Sequence, residues 1–106
     1  EIMFPNNCYM TRQVSEEVPF SLQQLMWRLI FELGKFTELD YLQVFSFQAF
    51  NPQNETLTLI HTQEEPEFYA EHLIKVPTAV GRRLENRKIY IIDDIEYATM
   101  LFATEY

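Results

Sequence analysis

The amino-acid sequence predicts an α+β domain in which one main amphipathic helix packs on a curved antiparallel sheet of four to five strands. Two observations support this expectation: one long helical repeat of apolar residues, and a succession of β-prone segments after it. Strands joined by short turns pair antiparallel, and the helix then has to cover one face of their sheet. The predicted element order is a strand, a helix and a run of strands.

The helix is the clearest predicted element. A short β-prone run at residues 9–14 precedes it and predicts a strand. Ser21 and Gln24 have the spacing of a capping box, so the helix is expected over residues 21–36. Its apolar face recurs at three- and four-residue steps and comprises Leu22, Leu25, Met26, Leu29, Leu33 and Phe36.

The second half of the chain is rich in β-forming residues. The alternation in the first strand after the helix is imperfect, which indicates a bulge or a strand covered on both faces. Residues 68–76 fit either a strand or a helix, and residues 78–87 are expected to form a loop. This order of elements resembles that of cystatin-like folds. The predicted strands are residues 41–50, 56–63, 88–92 and 98–104.

A hydrophobic core is expected between the helix and the sheet. Its predicted members are Leu25, Met26, Leu29, Leu33, Val44, Leu57, Leu59, Ile89, Ile91, Met100 and Phe102.

Composition narrows the class of protein. The 106 residues fit a single domain, 1–106, and a hydrophobic content of 47% is too high for a disordered chain. One cysteine excludes an intramolecular disulfide and fits a reducing cytoplasm. No apolar run approaches the roughly 20 residues that cross a bilayer. We therefore expect a cytoplasmic protein with no membrane association and no cofactor.

Charge bears on the choice of partner. The formal net charge of −8 repels phosphates at long range, so nucleic acid is not expected as a partner. Half of the 8 basic residues nevertheless fall within one short stretch. They form either a solvated loop or a weak anion contact. These residues are Arg82, Arg83, Arg87 and Lys88.

An acidic stretch is the second candidate for chemistry. Asp93 and Asp94 lie between two predicted strands, where they fit an ordinary turn. His61 falls on the same strand face as Leu57 and Leu59, which favours a hydrogen-bonded core histidine. The alternative is a small hydrolase- or lyase-like enzyme that uses these three polar residues in a pocket of the sheet. The spacings of a zinc site are absent, so no metal and no catalytic residue is assigned.

Two aromatic residues of the helix lie away from its predicted apolar face. Trp27 and Phe31 fall at about 140° and 180° from Leu22, beside Arg28. They lie either beneath another part of the chain or at a contact with a partner. The favoured hypothesis is a non-enzymatic interaction module that self-associates or binds an unidentified protein through this helix face.

Several segments together resemble a known family. They are Tyr9-x-Thr11-Arg12, Glu17-Val18-Pro19, Leu39-Asp40-Tyr41-Leu42-Gln43-Val44-Phe45, His61-x-Gln63-Glu64-x-Pro66, Ile92-Asp93-Asp94 and Met100-Leu101-x-Ala103-x-Glu105-Tyr106. The pattern resembles a family of small proteins of unknown function from low-GC Gram-positive bacteria, staphylococci and enterococci among them. The resemblance runs over residues 9–106, apart from residues 78–87. It implies a bacterial cytoplasmic protein and brings no activity with it.

Overall fold

Six strands form one mixed sheet in the computed structural model, which describes residues 7–106. Three helices pack against a single face of this sheet within the described residues. The elements in chain order are β1 (Cys8–Met10), α1 (Arg12–Glu17), α2 (Phe20–Leu33), β2 (Leu42–Asn51), β3 (Thr56–Gln63), β4 (Phe68–Lys75), α3 (Thr78–Leu84), β5 (Lys88–Asp93), β6 (Ala98–Phe102) and a 3₁₀ turn (Ala103–Glu105).

The strand order is β1-β6-β5-β2-β3-β4. All neighbouring strands are antiparallel except β1 and β6, which are parallel. The α+β class is confirmed, whereas the described sheet has more strands than expected and is not purely antiparallel. The comparison with cystatin-like folds rested on element order alone and stays a prediction.

Strand β2 lies near the middle of the sheet and places alternate residues on opposite faces. Phe45 and Phe47 point toward the helices and are buried, whereas Val44 points to the other face. A register shift between Phe47 and Phe50 interrupts the pairing with β3 and returns Phe50 to the buried face. This shift confirms the expected bulge and explains why the alternation in the sequence is imperfect.

Helix α2 begins and ends earlier than predicted. Its N-cap is Pro19, with no side-chain cap, and Gly34 follows its last residue. Phe36 therefore lies beyond the helix and is 86% exposed. The buried face is rotated by about 60° from the predicted one, toward Ile30, at about 100° per residue. The buried residues of the helix are Leu22, Gln23, Met26, Ile30 and Leu33.

Two short helices replace segments predicted to be a strand and a loop. Within residues 9–14 only the first part is a strand, because the Thr11 hydroxyl accepts the backbone N–H of Val14 (3.2 Å) and caps α1. Residues 78–84 form α3, which approaches the sheet closely enough that a Cβ atom on Gly81 would lie 2.1 Å from the Phe50 ring. The ambiguous stretch 68–76 is mostly the edge strand β4.

The core lies between the helices and the inner face of the sheet. Eight of the predicted core residues are buried: Met26, Leu33, Leu57, Leu59, Ile89, Ile91, Met100 and Phe102. Leu25 and Leu29 are only partly buried because of the rotation of α2, and Val44 is a wrong prediction because it points away from the core. None of the helices within residues 7–106 is long and apolar enough to cross a membrane.

Candidate functional site

Helix α2 carries three aromatic side chains away from the centre of its buried face, which we call the aromatic stripe: Phe20, Trp27 and Phe31. Phe20 and Phe31 are 67% and 69% exposed. Trp27 is partly buried and packs against the core. The prediction that Trp27 lies away from the apolar face of the helix is therefore wrong, because the rotation of α2 brings it to the flank of the buried face. The stripe runs along the helix because residues three and four positions apart share one side.

Positive charge borders the aromatic stripe. Arg28 lies on the exposed side of α2 next to Trp27 in sequence. The Lys35 ammonium lies 5.2 Å from the centroid of the Phe31 ring and 2.9 Å from the Glu32 carboxylate. The stripe is thus a ridge of aromatic carbon with cations beside it, in a chain whose net charge is −8.

His61 belongs to a buried hydrogen-bond network, as the sequence predicted. Its Nε2–H donates to Gln43 Oε1 (2.7 Å), and Gln43 Nε2 donates to Gln63 Oε1 (2.7 Å) and to the Asp40 carbonyl (3.0 Å). Gln63 Nε2 in turn donates to the carbonyls of Glu38 (3.0 Å) and Pro66 (2.8 Å). These bonds satisfy both amides and fasten the connection between α2 and β2 to the β3–β4 turn.

The surroundings of His61 keep its imidazole neutral. Its ring stacks on Phe45 at 4.3 Å between centroids and meets the edge of Phe68 at 5.3 Å. Burial, with a smaller contribution from the charge of His72, lowers the pKa of His61 from its ordinary value of 6.5 to about 4. A neutral, enclosed ring whose Nε2–H is occupied supports a structural role for this histidine.

Asp93 and Asp94 form the predicted turn. Asp93 Oδ1 accepts the backbone N–H of Ile95 (2.9 Å), the geometry of an Asx turn. A hydrogen bond with Asp94 raises the pKa of the Tyr97 phenol. His61 hydrogen-bonds to Gln43 instead, so the structure does not assemble the proposed acidic site from these residues. Residues 7–106 contain no cluster of three metal-binding side chains.

One surface depression lies elsewhere. It is lined by Glu55, Lys75, Val76 and Pro77, at the end of the sheet opposite to Asp93. The depression therefore gives the turn carboxylates no pocket to act in.

The four basic residues do not form one patch. Arg87 Nη1 donates to the Glu17 carboxylate (2.6 Å), and its guanidinium stacks 3.9 Å above the Phe102 ring. This ion pair lowers the pKa of Glu17. Arg83 Nε donates to the Glu17 carbonyl (2.9 Å) at the end of α1.

The other two basic residues point elsewhere. The Arg82 guanidinium lies 3.5 Å from the Glu85 carboxylate. Lys88 is the register partner of Ser46, so it lies on the face of the sheet opposite to the helices. The four basic side chains thus share no common surface on which they could form the weak anion contact.

Comparison with known proteins places the chain in a family. Residues 7–105 match a family described as staphylococcal protein of unknown function (DUF960). The chain belongs to this family. A crystal structure of a protein of unknown function from Enterococcus faecalis has the same fold, with a TM-score of 0.75 and 22% identity, over 94% of this chain and 90% of that one. No curated protein matches. The family resemblance seen in the sequence is confirmed, and the function of the family is unknown.

Two features of the structure escaped the sequence prediction. Phe20 precedes the helix expected over residues 21–36 and was not grouped with the other two aromatic residues, although it lies seven residues before Trp27 and eleven before Phe31. The polar network was also missed, although Gln43 shares a strand face with Phe45 and Phe47, and His61 shares one with Leu57 and Leu59. Buried polar residues at such positions indicate a hydrogen-bonded group.

Proposed function

We propose that this chain is a non-enzymatic, cytoplasmic protein-binding module that contacts its partner through the aromatic stripe of α2. The observation that carries the proposal is the exposure of Phe20 and Phe31 on one well-formed helix, with Trp27 between them. Aromatic side chains provide much of the binding energy in protein interfaces, Trp and Tyr above all.

The rigidity of the helix supports this assignment. Trp27 is held on one side by the core, so little side-chain freedom is lost when its free edge is covered. Phe31 is held from one side by the cation of Lys35. A pre-ordered surface binds more tightly than one that has to be ordered on contact.

Charge indicates the chemistry of the partner. Arg28 and Lys35 lie beside the stripe, and Glu32 pairs with Lys35. A complementary surface would present apolar side chains to the stripe and carboxylates to the two cations. An amphipathic helix with an acidic border has this arrangement, since it can lie along α2 with its apolar side against the stripe.

Three parallel baits test the proposal in lysate of a staphylococcus. The baits are the wild-type protein, Phe31→Ser and Phe36→Ser. Phe36→Ser is the matched control, because it removes a phenylalanine that is also largely exposed but is not on the stripe. Trp27 is left intact, because its contact with the core would confuse loss of binding with loss of stability.

A captured protein is then titrated against each bait. Trp27 is the single tryptophan of the chain, so its fluorescence reports directly on covering of the stripe. We expect an emission shift on binding and an affinity at least about tenfold weaker for Phe31→Ser, with no change for Phe36→Ser. Equal affinities for all three proteins, or binding without any change in Trp27 emission, would contradict the proposal.

A further inference from the structure

None of the described helices α1, α2 and α3 packs on the opposite face of the sheet, which we call the outer face, whereas Tyr106 after the 3₁₀ turn contacts it at Tyr90. Helices α1, α2 and α3 all contact the inner side, through Val14, Met26 and Gly81 among others. Strand pairing places a continuous apolar group on the outer face, across four neighbouring strands. Its central members are Leu42, Val44, Ile60, Tyr90, Ile92 and Leu101.

Tyrosines lie within and around this apolar centre. Of the 6 tyrosines in the chain, the strand registers put three on the outer face, namely Tyr9, Tyr69 and Tyr90. Two more tyrosines contact members of this group edge-on. The ring of Tyr97 lies 5.9 Å from that of Tyr9, and the ring of Tyr106 lies 5.8 Å from that of Tyr90. Tyrosine is enriched at protein interfaces because its ring buries apolar area while its hydroxyl keeps a polar partner.

The charge of the outer face differs from that of the whole chain. Among its outward-pointing strand residues the charged ones are Glu71, Lys75 and Lys88. This face therefore has one more positive than negative charge, whereas the chain carries −8. Two copies repel each other through most of their surface, whereas on the outer face Glu71 is the one acidic residue among the outward-pointing strand residues.

The size of the face fits a dimer. At about 3.3 Å per residue and about 4.8 Å between strands, the six strands present about 600 Å² per copy. Two such faces bury about 1,200 Å², which is the lower limit of the usual range for specific interfaces. Sheets pack face to face in this way in β-sandwiches, with interdigitated side chains between them.

We propose that the outer face packs on the outer face of a second copy of this chain, forming a homodimer with its two helical layers on the outside. The proposal is independent of the function proposed for α2, because the aromatic stripe lies on the opposite side of the molecule and stays free in the dimer. Each dimer would then present two stripes to its partners.

Sedimentation equilibrium of the 106-residue chain tests the dimer. The mass should rise from 12.7 kDa to twice that value as the protein concentration rises to about 200 μM. Added salt should strengthen the dimer, because it screens the repulsion between two chains of charge −8. Binding to an oppositely charged partner would respond to salt in the opposite direction.

Three variants locate the interface. Val44→Glu places a charge at the centre of the outer face and should weaken the dimer at least about tenfold. Leu73→Glu places a charge on the edge strand β4 of the same face, at a side chain that is 71% exposed, so folding is not at stake. Ser15→Glu adds the same charge to α1 and should leave the mass unchanged. Circular dichroism of each variant checks the fold, and small-angle scattering separates stacked sheets from sheets joined edge to edge.

Several results would overturn the dimer. They are a wild-type monomer at about 200 μM in high salt, a dimer that persists in Leu73→Glu and in folded Val44→Glu, or an extended shape with β4 edges joined. Loss of the dimer in Phe31→Ser alone would move self-association to the aromatic stripe. Loss of partner binding in Phe31→Ser with the dimer intact leaves both proposals standing.

Discussion

The inner and outer faces of the sheet are made by the same strands and differ in almost every physical respect. On the inner face the aromatic rings of Phe45 and Phe47 are buried beneath the helices, and polar groups there are bound to one another. On the outer face the apolar side chains of Val44 and Tyr90 are only partly buried. Hydropathy alone does not separate the two faces. What separates them is the presence of a helix over one of them.

From this difference we expect a buried polar residue to matter more for stability than an accessible apolar one. Gln43 makes three hydrogen bonds inside the protein, whereas Leu42 and Val44 on either side of it have an open side. Loss of an enclosed hydrogen bond leaves its partner unsatisfied, which costs more than the loss of a contact near water. The following predictions test this contrast.

The largest expected effect is on a buried ring. Phe45→Ala should lower the free energy of unfolding by about 3–5 kcal/mol, because it leaves a cavity among His61, Ile89 and the helices. Val44→Ala, one residue away on the outer face, should cost only about 1 kcal/mol in dilute solution. Urea denaturation of both variants at low protein concentration measures the difference. Equal losses would mean that the outer face is already covered in the monomer.

The next effect reverses the usual hydrophobic expectation. Gln43→Leu makes β2 more apolar, yet it should lower the free energy of unfolding by about 3 kcal/mol. The substitution leaves the His61 N–H and the Asp40 carbonyl without the hydrogen bonds that Gln43 makes to them. Leu42→Gln on the outer face should change it by less than about 1 kcal/mol. The same denaturation experiment compares the two. A neutral Gln43→Leu would show that the network adds nothing to stability.

The smallest expected effect is a fall in the free energy of unfolding at acidic pH. Because the pKa of His61 is about 4 when folded and near 6.5 when unfolded, the unfolded chain binds the proton more readily below pH 6.5. Stability from this group is therefore complete above pH 6.5 and falls as the pH approaches 4, by about 2–3 kcal/mol between pH 7 and 4.5. Denaturation across this range should show a smaller fall for His61→Gln.

His72→Gln is the matched control for the acid experiment. It removes only the smaller of the two causes that lower the pKa of His61, so most of the acid dependence should persist. If His61→Gln and the wild type lose stability in parallel, the imidazole is accessible to protons in the folded protein and the inner face is less closed than its contacts suggest.

The sequence predicted those parts of the fold that depend on regular periodicity. Runs of β-forming residues located β2, β3, β5 and β6, and the buried histidine of β3 was recognised from its apolar neighbours. The sequence also predicted helix α2, but it did not predict which side of the helix is buried. The predicted face was centred on the most regular leucines, whereas the protein buries Ile30 and leaves Phe36 in solvent.

The missed features depend on contacts between distant parts of the chain. Helix α3 is short and carries a glycine, and it is stable because Gly81 lets its backbone approach Phe50. The sequence predicts Arg87 in a solvated loop, whereas in the structure it contacts Glu17 and Phe102. Neither partner can be read from local sequence, because both interactions span many residues.

The parallel pairing of β1 with β6 also affects how the protein is made. Thr11, just after β1, donates its hydroxyl hydrogen to Glu105, 94 residues later. During synthesis on the ribosome the meander of β2, β3 and β4 can form early, because its partners are neighbours in sequence. Residues 8–17 instead have to wait for β6 to emerge from the exit tunnel. The nascent chain therefore carries one unfinished edge of the sheet until β6, which is made after β1 to β5, has emerged.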